Sequence, residues 1–246
     1  MKHLARLLQH KTLNHNDIVK IVGNENLASK TASNYLKKGY LAKIRYDLYT
    51  PVDLESGEPI ADKFSVGSSI TDTSFISHHS AFEFYGYYNQ VYNEVNVSSI
   101  SKFNSFSFNG DKYSLIKTNS TSFVETIRNV RVSTLERTIV DCIKDSGKYI
   151  ELEETLSCIN MIPYVEIDQI LSYLKELNSK TVYKKVGAIL SLFSEQLNIP
   201  EYFFNICHKE SDDTVASFDN KIKSLTYDKN WRMYVPVDYQ SLLSKE

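Results

Sequence analysis

Three short amphipathic patterns followed at once by a hairpin signal, all within the first 51 residues, constrain this chain more than anything else in it. Leu4, Leu7 and Leu8 recur at i, i+3 and i+4, one apolar face of a first helix. Asn14 or Asn16 can cap a second helix whose apolar face is Ile18, Ile21 and Val22, with Gly23 placed to end it. A third pattern runs from Leu27 to Gly39 with Ala32, Tyr35 and Leu36 as its buried stripe. The chain then reads Tyr40-Leu41-Ala42-Lys43-Ile44-Arg45-Tyr46-Asp47-Leu48-Tyr49-Thr50-Pro51, two short strands around a turn near Arg45-Tyr46-Asp47. Three helices and then a basic hairpin is the order of a winged helix-turn-helix, which is the expectation for residues 1–51.

At about 100° per residue, Lys30, Asn34 and Lys37 project away from the stripe of the third helix, flanked by Thr31 and Ser33. That side has cations, an amide and hydroxyls, and no carboxylate. Lys suits phosphates and guanine edges, Asn can bond adenine bidentately, and Ser or Thr can approach either. Lys38 follows on the same helix, and Lys43 and Arg45 are expected at the hairpin, beside a phosphate backbone or minor groove. Charge supports the reading. The net charge is −2, yet residues 1–50 hold nine Lys/Arg against three Asp/Glu, a local balance of +6. A basic head on an acidic remainder is expected where one module meets a polyanion.

Residues 52–72, with Gly57, Pro59 and Gly67 among polar residues, read as a linker or crossing segment. Phe75 to Gly86 reads as a short strand running into a helix closed by Gly86. Its Ser77-His78-His79-Ser80 run invites a catalytic or metal reading. Adjacent histidines point about 100° apart on a helix, however, and no H-E-x-x-H partner follows, so capping and packing are expected. Asn93–Ser98 alternates like a strand. Asn109-Gly110 inside Phe106–Ile116 is a strong hairpin signal, because it supplies the positive φ of a tight turn. Val130–Ser133 reads as a strand leading into a helix with Ser133 and Glu136 as a capping box, and with Arg137 and Asp141 at i, i+4 as a surface or interdomain ion pair. Helical periodicity returns from Val165, with Ile167, Ile170, Leu171, Leu174 and Leu177 on one face. Val182, Val186, Ile189, Leu190, Phe193 and Leu197 form a second, ended by Pro200. Glu210–Asp213 reads as a solvated acidic turn, and Trp231–Val237 as a last strand.

Several classes of function find no support. Glu136 and Asp141 as a nuclease-like metal pair would point about 140° apart on a helix. P-loop, G-x-G-x-x-G and G-x-S-x-G motifs are absent. The three cysteines, Cys142, Cys158 and Cys207, form no C-x-x-C pair and suggest neither a disulfide framework nor a zinc site. Residues Met1–Leu8 read as an amphipathic helix and not a signal peptide, and no apolar run is long enough to span a bilayer. A cytoplasmic protein with no cofactor and no metal is therefore expected, and no enzymatic motif stands out.

The order of these motifs resembles the AbiEi family of antitoxins, from type IV toxin–antitoxin (abortive infection) systems of bacteria. The resemblance rests on Lys37–Leu41 through Leu48–Pro51, on Ser77–Ala81 with Gly86, on Val132–Asp141, and on a helical pair before a Trp-Arg-x-x-Val-Pro strand. It implies a transcriptional repressor that binds inverted repeats in the promoter of its own two-gene operon. It also implies a C-terminal body, with no known enzymatic role, that counteracts a nucleotidyltransferase-like toxin. One departure is Asp47, where the wing turn commonly carries glycine; Asp tolerates left-handed backbone better than most residues. The expected architecture is α+β: a winged head (1–51), a linker (52–72) and a larger mixed body (73–246) with a helical C-terminal part. A stand-alone winged-helix regulator with a sensing domain and no toxin partner is the alternative. An enzyme of nucleic-acid metabolism, tethered by its head, is the second.

Overall fold

A computed structural model describes residues 3–211, 213–218 and 225–236. Met1 and Lys2 of the first helical pattern, Asp212 of the acidic turn and Val237 of the last strand lie outside the described residues. The chain is a mixed α/β fold. Its backbone packs as two units, one formed by residues 1–76 with 92–132 and the other by 77–91 with 133–246.

The first unit begins with helices α1 (Leu4–Leu7), α2 (His15–Val22) and α3 (Glu25–Lys37), then a hairpin of β1 (Leu41–Arg45) and β2 (Leu48–Pro51). Leu4, Leu7, Leu13, Ile18, Ala28, Ala32, Tyr35 and Leu41 form one buried core beneath them. Leu13 adds to the hairpin, exchanging both backbone hydrogen bonds with Tyr49 at 2.9 Å. Asn14, not Asn16, caps α2 in a reciprocal capping box with Asp17. Gly23, with φ +83°, ends α2 and Asn24 caps α3 directly after it by accepting the Leu27 N–H at 3.0 Å. The third helix therefore starts at Glu25, earlier than its apolar stripe indicates. At its other end Gly39 has φ +71°, and Tyr40 N–H returns to Tyr35 C=O, a Schellman closure that only a residue tolerant of left-handed backbone allows.

The remainder of the first unit is a six-stranded sheet ordered β5-β6-β4-β3-β8-β7. Its strands are β3 (Phe75–Ile76), β4 (Glu94–Ser99), β5 (Phe106–Phe108), β6 (Asp111–Lys117), β7 (Val124–Ile127) and β8 (Val130–Ser133), the last reaching one residue into the second unit. Asn109 and Gly110, both at positive φ, make the expected tight turn between β5 and β6. Helix α4 (Lys63–Ser68) lies within the segment that composition reads as a linker. It packs close against the sheet: a Cβ on Gly67 would stand 2.7 Å from Ile76 Cδ1.

The second unit holds α5 (His78–Tyr85), α6 (Leu135–Lys144), α7 (Leu152–Asn160), α8 (Ile167–Leu177), α9 (Lys180–Ser191) and α10 (Glu201–Glu210). A small sheet of β9 (Ala216–Ser217), β10 (Leu225–Asp228) and β11 (Met233–Pro236) completes it. Residues Glu136 to Ile143 of α6 are all buried, so this helix is the axis around which α5, α7, α8 and α9 pack. Three expectations need correction. The α6 N-cap is Thr134, which accepts the Arg137 N–H; Ser133 instead bonds Thr138 through its hydroxyl, and Glu136 accepts the Glu166 N–H at 3.1 Å. Pro200 does not end a helix but caps the start of α10, where its missing N–H costs nothing. Arg137 and Asp141 are neither a surface nor an interdomain pair, because both are buried inside this unit.

Candidate nucleic-acid interface and a buried polar cluster

On α3 the side opposite the apolar core is formed by residues three and four apart. Lys30, Ser33, Asn34 and Lys37 are exposed and, with Ser29, line a shallow depression of about 390 Å³. Thr31 is half-buried at its flank, and Lys38 is exposed at the C-cap. Asn26, exposed one turn before Lys30, extends the same face; it goes unnoticed in the sequence because the helix start is set by Asn24 and not by hydrophobic periodicity. Among the described residues Lys30, Lys37, Lys38 and Lys43 form no ion pair, so their charge faces solvent uncompensated.

The hairpin divides its two cations. Lys43 is exposed on β1 opposite Tyr49. Arg45 is not available at the tip as expected. A register shift between Lys43 and Arg45 turns its half-buried side chain inward, and its guanidinium carbon stands 5.3 Å from the Phe106 ring centroid and 5.8 Å from that of Phe103. There it stabilises packing through cation–π attraction. The tip is occupied by Tyr46, 87% exposed, followed by Asp47 at φ +54°. The sequence places Tyr46 in the turn, but only the fold shows it as the exposed tip.

In the second unit the residues flagged by motif spacing come together in the interior. Asp141 accepts from Arg137 Nε at 3.1 Å, Lys144 Nζ at 2.7 Å and Tyr173 Oη at 3.0 Å. The Arg137 guanidinium lies 5.2 Å over the Tyr173 ring. Burial alone would push the Asp141 carboxyl up, but Lys144, His78 and Arg137 together hold it below the usual carboxylate range. Lys144 also reaches Asp145, which is held down in the same way by His78 and Lys144 against its burial. His78 is buried at φ +52°, its Nε2 3.3 Å from Asp145 and its Nδ1 3.0 Å from the Ser77 hydroxyl. Glu136 and Asp141 hold different partners: Glu136 accepts the Glu166 N–H, and Asp141 accepts from Arg137, Lys144 and Tyr173.

His79, also buried, projects to a different set. Its Nε2 is 3.1 Å from Glu154 Oε1, and Cys158 Sγ is 3.6 Å from the same oxygen. Backbone N–H groups of Asn89 and Gln90 point to that oxygen as well. Nothing in local spacing links His79 with Cys158 or marks Glu154; only the fold joins residues 75 positions apart. All three cysteines are buried free thiols, and burial pushes the Cys142 thiol well up and that of Cys207 up to about 12.

No protein-family model matches the chain, and no curated protein is similar to it in sequence. A solved fold is. The crystal structure of the RV2827C protein from Mycobacterium tuberculosis superposes with a TM-score of 0.64 over 98% of this chain and 93% of that one, at 10% sequence identity. At that identity the likeness is one of fold. Among the described residues no helix is long and apolar enough to cross a membrane.

Proposed function

We propose that residues 1–51 form a winged helix-turn-helix that binds operator DNA, with α3 lying in a major groove and the β1–β2 hairpin as the wing. The observation that carries this reading is the solvent face of α3. Lys30 and Lys37 stand there with Ser33 and Asn34 between them, free of carboxylates and opposite the buried stripe. Such a face suits phosphate contacts from the lysines and base-edge contacts from Asn34, Asn26 and Ser33. Lys43 and Tyr46 on the wing are suited to the adjacent backbone and minor groove, while Lys38 and Thr31 flank the helix.

The wider role proposed is that of a type IV antitoxin, a repressor of its own two-gene operon whose C-terminal part counteracts a nucleotidyltransferase-like toxin. Support comes from the AbiEi-like order of motifs. Of those motifs, Ser77–Ala81 and Glu136–Asp141 are buried in the second unit. The test has two arms. Purified protein should shift a fragment of its own upstream promoter in a gel and not a scrambled fragment. Its co-expression should restore growth to cells expressing the neighbouring nucleotidyltransferase-like gene. A promoter shift without a toxin partner would instead favour the stand-alone regulator, and no shift would remove the DNA-binding reading.

A further inference from the structure

The structure assigns a metal site, matched to zinc, to His79, Glu154 and Cys158 in the core of the second unit. The three offer an imidazole nitrogen, a carboxylate oxygen and a sulfur within 4.8 Å of one another, and all three side chains are buried. Donors around a single tetrahedral zinc, at about 2.0–2.3 Å from the metal, sit roughly 3–4 Å apart. Two of the three separations, 3.1 Å (Nε2 to Oε1) and 3.6 Å (Sγ to Oε1), have that spacing, and the imidazole-to-sulfur distance lies within 4.8 Å.

Local structure pre-sets the arrangement. Glu154 and Cys158 are i, i+4 on α7 and so share one face, while His79 comes from the first turn of α5. The Asn89 and Gln90 N–H groups also reach Glu154 Oε1, at 3.3 and 3.4 Å, and hold that carboxylate in place. The donor set also selects the ion. A thiolate and an imidazole do not suit magnesium or calcium, which take oxygen ligands, whereas N, O and S together suit zinc. Coordination requires the thiolate, so the Cys158 proton passes to solvent as the ion binds. Without metal the same atoms form a hydrogen-bonded hub, with Cys158 S–H donating to Glu154 and its thiol pushed up by burial and by that carboxylate.

The experiment uses full-length protein expressed with added zinc, desalted and assayed by atomic emission, then stripped and titrated with Co²⁺. Wild type should retain close to one zinc per chain, and the Co²⁺ form should show a sulfur-to-cobalt charge-transfer band. Cys158→Ser should abolish that band and His79→Gln should reduce retained zinc to background, while Cys207→Ala changes neither. Should Cys158→Ser fail to fold, the wild-type cobalt spectrum decides alone. No metal uptake, uptake without the sulfur band, or zinc retained equally by folded His79→Gln would each overturn the assignment.

Discussion

The Asp47 carboxylate, in the hairpin turn, accepts the backbone N–H of His15 at the start of α2, with N···O 2.9 Å. The turn that shapes the hairpin thus also satisfies one of the orphan donors at a helix N-terminus. Asp47 sits at φ +54°, where glycine is the unstrained choice. The departure from glycine exchanges some backbone strain for this bond. We predict that Asp47→Ala, losing the bond and keeping the strain, costs about 1 kcal/mol, whereas Asp47→Gly, losing the bond but relieving about 1–2 kcal/mol of strain, is close to neutral. Urea unfolding of the two variants side by side checks the order; Ala equal to Gly would contradict it.

Arg137 and Asp141 predict a large loss on breaking their pair. Arg137→Ala leaves Asp141 buried with reduced compensation, and removal of one partner of a buried pair costs about 3–5 kcal/mol. Equilibrium denaturation reads it. A change within about 0.5 kcal/mol, typical of surface substitutions, would contradict the buried role.

The same cluster sets an acid limit. The Asp141 and Asp145 carboxyls are depressed in the folded protein, so their contribution is fully present above the unfolded carboxylate range, near pH 4, and is lost as pH falls through the folded values. Lys144 is raised, its two carboxylate partners outweighing burial, so its contribution persists at neutral pH and is lost only in strong alkali. Stability should therefore fall from pH 5 to about pH 2, and Asp141→Asn should flatten that fall. Melting temperature against pH for both proteins is the measurement.

Gly187 on α9 is held to glycine by contact. A Cβ there would run into the ring of Trp231, which itself stacks on His208 with centroids 3.9 Å apart. Gly187→Ala should destabilise by about 1–3 kcal/mol through overpacking and shift the fluorescence of the chain's single tryptophan. An unchanged emission spectrum and midpoint would contradict the packing.

What the sequence discloses depends on whether the signal is local. Asn109-Gly110 announces its hairpin because its backbone need is written in the residue type, while the Arg128–Asn129 turn between β7 and β8, also at positive φ, has no glycine to reveal it. The start of α3 is set by the Asn24 cap and not by the apolar stripe, so periodicity alone places it too late. The Arg137–Asp141 spacing gives the pair but not its burial, since the i, i+4 rule holds equally on a surface and inside. Arg45 reads as a tip cation until β-bulge geometry and the aromatic rings of Phe103 and Phe106, some sixty residues on, are known. His79, Glu154 and Cys158 meet only through tertiary packing.

The most direct test of the DNA-binding account is the salt dependence of promoter binding by Lys30→Ala and Lys37→Ala beside wild type. Each lost phosphate contact should weaken binding and reduce the slope of log K against log salt by about 0.9. Arg45→Ala should lower stability and leave that slope unchanged, because its guanidinium is spent on Phe103 and Phe106. Wild-type slope and affinity in both lysine variants would contradict the assignment of α3 to the DNA.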